Sequence, residues 1–142
     1  MRSLSFPDVN VWLALLLGDH VHRAAATEWW RRDESEVIGF TRLTQLGVLR
    51  LLTTAAAMNG RPLTMPAAWD AYDQLFADDR VAFVEEPEEV EPVFRKHASE
   101  ARASAKLWAD AWLLALAERS DANVVTFDRG LASRSGRCLL LS

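Results

Sequence analysis

Apolar residues along the chain follow two rhythms. Short runs rich in β-branched and aromatic residues read as strands at Leu4–Asp8, Glu36–Phe40, Arg80–Val84, Asn123–Thr126 and Arg137–Leu141. Between them lie longer stretches with helical spacing: Val9–Leu17, His20 to about Asp33, Arg42–Leu52, Pro66 to about Ala77, Pro87 to about Arg102, Lys106–Ser120 and a short piece near Gly130–Ser133. Thr41 has the chemistry of an N-cap and Pro66 suits a first helical turn. Glu85, Glu86, Glu88 and Glu89 fall in the expected first turns of the fifth long helix, where negative charge favours the helix dipole. Strands separated by helices predict parallel pairing, because a parallel crossover needs a dozen or more residues. The expected fold is a three-layer α/β/α sandwich around a parallel sheet of four to five strands. Pro7 argues mildly against a central first strand, since it cannot donate a ladder hydrogen bond, although as the penultimate residue of that strand it stands where the loss matters least.

With 142 residues the chain has room for one domain, 1–142, and one sizeable core. Half the residues are hydrophobic and 25% charged, which excludes a disordered or collagen-like chain. The net charge of −4 excludes a basic protein that coats nucleic acid. Acting on nucleic acid then requires metal ions to neutralise the acids. Cys138 is the only cysteine and cannot form an internal disulfide, which suits a reducing cytoplasm. The longest apolar run, Val11–Leu17, falls far short of the ~20 residues of a membrane span, so no membrane association is expected.

In an open parallel sheet, ligands bind beyond the carboxyl ends of the strands, where strand order reverses. Asp8 follows the first strand and Asp128 the fourth, so both reach one rim if the two strands are neighbours. Asp110 shares a helix face with Leu107, Leu113, Leu114 and Ala117, an ionisable group in an apolar stripe. Each could be only a helix cap: Asp8 before Val9, Asp110 before a helix starting at Ala111, Asp128 before the short helix. Carboxylates converging on one spot repel each other, and a divalent cation is the simplest remedy.

Four ordered blocks carry a resemblance: Pro7-Asp8-Val9-Asn10-Val11-Trp12, Leu43-Thr44-Gln45-Leu46-Gly47-Val48-Leu49-Arg50-Leu51-Leu52-Thr53, Ala109-Asp110-Ala111-Trp112-Leu113, and Val125-Thr126-Phe127-Asp128-Arg129-Gly130. Together they resemble the PIN-domain family, and more narrowly the VapC-type toxins of bacterial toxin–antitoxin pairs. The resemblance covers nearly the whole chain. It implies an endoribonuclease that uses magnesium or manganese, cuts structured RNA such as a transfer RNA or ribosomal RNA loop, forms a homodimer and is held by a cognate antitoxin. Its catalytic and metal-holding acids fall on Asp8, Asp110 and Asp128, and its flanking polar residues on Asn10 and Thr126. The family's usual second acid falls on Gln45, which offers a carbonyl oxygen but no charge, so one metal ion is the safer expectation.

Other candidates carry less. His20, His22 and His97 fit no zinc spacing and read as solvated surface. No nucleophile elbow or Gly-rich phosphate loop is present. Trp12, Trp29, Trp30, Trp69, Trp108 and Trp112 read as core or dimer contacts rather than base-stacking platforms. Arg42, Arg50 and Arg129 are weak candidates for RNA phosphate contacts, as are Arg134 and Arg137. Two other classes compete: a haloacid-dehalogenase-type phosphatase, which needs an acid where this chain has Asn10, and a PIN module that binds RNA or a protein without cutting.

Overall fold

The structure, a computed structural model, describes residues 2–142. Five parallel strands, β1 (Leu4–Pro7), β2 (Val37–Phe40), β3 (Val81–Phe83), β4 (Asn123–Thr126) and β5 (Cys138–Leu140), form one sheet in the order β3-β2-β1-β4-β5. Seven helices connect them: α1 (Val9–Leu16), α2 (Arg23–Arg32), α3 (Arg42–Leu52), α4 (Met65–Gln74), α5 (Val90–His97), α6 (Leu107–Ser120) and α7 (Arg129–Ala132). The chain winds outward from β1 to β3, then crosses back to β4 and β5. Right-handed crossovers in opposite directions put helices on both faces.

Each strand splits its side chains between two cores, because neighbouring residues point to opposite faces. Ile38, Phe40 and Val125 join Val11, Trp12, Trp29, Val48, Leu52 and Tyr72 beneath α1–α4. Phe6 and Val124 join Val90, Leu113, Leu114, Leu116 and Leu131 beneath α5–α7. Trp12 stacks on Phe40 at 3.9 Å between centroids, so two of the largest buried side chains lock α1 to β2. Trp12 and Trp29 are therefore core, whereas Trp69 and Trp108 are exposed.

Contrary to the reading of Pro7, β1 is the central strand. Its pairing with β2 is registered at Leu4 and Ser5, so the missing N–H of Pro7 falls beyond that ladder, while Asp8 N–H still reaches Val125 O at 2.8 Å. The fifth helix is also shorter than its pattern. Glu89 adopts a left-handed backbone (φ 61°) and Pro92 suits only a first turn, so α5 begins at Val90 and the four preceding glutamates lie outside it. Residues 98–106 are not helical. The second helix starts at Arg23 rather than His20, and α4 passes at Leu75 into a single 3-10 turn.

Candidate active site

Strand order reverses between β1 and β4, and the register Pro7↔Val125 sets Asp8 beside Thr126 at the carboxyl rim of that seam. Asp8 caps α1: its Oδ1 accepts from Val9 N–H at 2.8 Å, and its Oδ2 accepts from the Thr126 hydroxyl at 3.1 Å. The same Thr126 oxygen accepts from Asp128 N–H at 2.9 Å, so one fully buried threonine ties the two acid-bearing strand ends together. Asp128 caps α7 through Leu131 N–H at 3.1 Å, and its other oxygen accepts from Lys106 Nζ at 2.7 Å. Capping and an acidic rim thus coexist for Asp8 and Asp128.

Asp110 is not a cap. Helix α6 begins at Leu107, and Asp110 stands in its first turn. Because α6 runs back from the rim to feed β4, that first turn lies at the carboxyl end of the sheet.

Burial pushes the Asp8 carboxyl above its ordinary range, against the Val9 and Thr126 hydrogen bonds, and the charge on Asp128 pushes the same way. Asp110 is raised by burial and then by the charge on Asp8. Asp128 is lowered, chiefly by the hydrogen bond from Lys106. The three acids share one electrostatic neighbourhood, in which two carboxylates are short of counter-charge.

Three acids in that neighbourhood are not yet a closed cage. Among the described residues, no three His, Cys, Asp or Glu side chains are gathered into a group able to hold a metal ion. Asp128 is occupied by Lys106 and Asp8 by Val9 and Thr126, so carboxylates would have to turn inward. The donor set is nevertheless of the right kind for a hard divalent cation: all oxygen and anionic.

The PIN-domain profile matches residues 5–136. The chain belongs to the PIN-domain family. Ribonuclease VapC41 of Mycobacterium tuberculosis is 37% identical over 134 residues, 91% of this chain and 92% of the relative, which places the chain among the VapC-type PIN domains. Among solved structures, VapC20 of the same organism, described as a sarcin–ricin loop cleaving toxin, has a TM-score of 0.65 at 14% identity, covering 91% of this chain and 93% of that one. VapBC2 from Rickettsia felis, bound to a DNA fragment from its promoter, has a TM-score of 0.66 at 10% identity, covering 96% of each chain. These two likenesses show the shared fold.

The remaining positions of this PIN domain divide clearly. Thr126 donates to Asp8 and accepts from the Asp128 backbone N–H. Asn10 is exposed on the first turn of α1, and no hydrogen bond joins it to the acids among the described residues. Gln45 is buried on α3, where its amide donates to Tyr72 Oη at 3.2 Å and its carbonyl accepts from Arg42. Arg42, an exposed residue, also lies over the Phe83 ring at 4.6 Å and so ties α3 to β3. Arg50 is two turns further along α3, about 12 Å down the helix. Arg129 is exposed directly after Asp128. Sequence reasoning missed Lys106, which had no signal beyond being the residue before an apolar helix. It also set aside His22, whose ring stacks on Phe127 at 4.3 Å, between Thr126 and Asp128 in the chain.

Proposed function

We propose that this PIN domain is a metal-dependent endoribonuclease toxin that hydrolyses phosphodiester bonds in structured RNA and is held by a cognate antitoxin. The observation that carries the reading is the joining of Asp8 and Asp128 through the buried Thr126 at the β1/β4 seam, with Asp110 on the first turn of α6 and its carboxyl, like that of Asp8, pushed above the ordinary range by burial and a neighbouring acid's charge. The ribonuclease names of its curated relatives support it. The VapBC2 neighbour supports a protein partner.

In this reading Asp8, Asp110 and Asp128 hold magnesium or manganese, directly or through water. Thr126 fixes the Asp8 carboxylate, and Arg129 meets the RNA backbone. Such an ion polarises a phosphoryl oxygen, acidifies bound water and stabilises charge on the leaving oxygen. Gln45 adds no charge, so three carboxylates suit one ion. The chain acts as a homodimer, and among its described residues no helix is long and apolar enough to cross a membrane.

Purified protein incubated with a labelled stem-loop RNA should cut it with magnesium or manganese and not with chelator. Asp8→Asn should lower the rate at least 100-fold. Binding without cutting, in wild type and variant alike, would instead identify a non-catalytic RNA-binding module.

A further inference from the structure

A cation already stands beside one of the three acids, Asp128. Lys106, the residue before α6, places Nζ 2.7 Å from Asp128 Oδ2 with 68% of its side chain exposed. Its charge also acts on Asp8 and Asp110, opposing the effect of burial on both. Arg134, the other cation acting on Asp110, turns its Nη2 to the His97 carbonyl and to Glu100 at 3.5 Å, while its buried Nη1 has no hydrogen-bond partner among the described residues. An ammonium group and a hard divalent ion seek the same dense carboxylate oxygens and cannot occupy one place. Lysine is suited to giving way, being a compact charge on a flexible four-carbon stem. There is room for it: Lys106 and Asp110 both line a cavity of about 380 Å³, together with Ser104, Gly130 and Arg134 among others.

We propose that Lys106 is a resident counter-ion that a divalent metal must displace from Asp128, so that this lysine sets the metal affinity of the site. Without metal, the ammonium relieves repulsion among the acids and holds the fold; with metal, it withdraws into the adjoining cavity. The inference rests on the metal-dependent reading above.

Calorimetric titration with manganese chloride tests it on wild type, Lys106→Gln, Lys106→Arg and Asp8→Asn, alongside melting temperatures in chelator and in saturating manganese. Lys106→Gln should bind manganese about tenfold more tightly, equivalent to about 1.4 kcal/mol. Lys106→Arg, which keeps the charge, should stay within about threefold of wild type. In chelator Lys106→Gln should melt below wild type, and in saturating manganese the gap should close. A merely structural lysine would lower both melting temperatures and leave affinity alone, which overturns the proposal. So would equal manganese affinity for wild type and Lys106→Gln while Asp8→Asn fails to bind, a result that leaves the metal reading intact. Absence of binding by every variant would overturn both.

Discussion

At the residue scale, the seam acids trade stability for charge. A carboxyl whose folded pKa is raised binds more protons in the native chain than in the unfolded one. The burden of Asp8 and Asp110 is therefore absent well below the ordinary value of 3.8 and grows as pH rises through their folded values. Asp128 and Asp78 are lowered, so their contribution is present above 3.8 and is lost as pH falls. Asp8→Asn removes a raised acid while keeping an equally good N-cap. In chelator at pH 7 its melting temperature should rise above that of wild type, the relief of burial outweighing the lost hydrogen bond from Thr126. The gain should vanish as pH approaches 4. A melting temperature unchanged at pH 7 would mean that the Asp8 charge is already compensated without metal.

At the scale of elements, the site depends on how closely α3 approaches α1. A Cβ at Gly47 would stand 2.6 Å from Val9 Cγ2, and Val9 is the first residue of α1, next to Asp8. Gly47→Ala must displace the Val9 side chain or the turn that carries it, at a cost of about 1–3 kcal/mol. Urea titration should show the loss, and adding Val9→Ala should recover most of it. Losses that merely add in the double variant would show that the Val9 contact is not the cause. The N-terminus of α3 is itself held by a reciprocal cap, in which the side chains of Thr41 and Thr44 each accept from the other's backbone N–H.

At the scale of the whole molecule, large apolar side chains remain uncovered on α3 and α4: Leu46 at 59% exposure, Met65 at 69% and Trp69 at 46%. Large apolar side chains left exposed on neighbouring helices suit a contact surface, and a closed symmetric dimer is the commonest way to cover one. Sedimentation at micromolar concentration should give a dimer, and Trp69→Glu should shift it towards monomer. A wild-type monomer at that concentration would remove the homodimer from the functional reading.

The alternation of short β-rich runs with helical stretches already determined the layers, the parallel sheet and the strands that Asp8 and Asp128 follow, because periodicity and crossover length are local properties. Asp8 and Asp128 were legible as rim residues for the same reason, and Thr126 through the family resemblance. What the pattern could not decide was long-range. Pro7 was compatible with a central strand only because β2 pairs lower down, and the glutamates before α5 lay outside it because the backbone at Glu89 turns left-handed. Gln45 and Arg42 satisfy each other and Tyr72 rather than the acids, since a buried amide must find partners wherever packing places them. Lys106 lies 22 residues before Asp128 in sequence yet 2.7 Å away in space. Only the return of α6 to the carboxyl rim brings that charge to the acids, and no spacing along the chain encodes a contact made by three-dimensional closure.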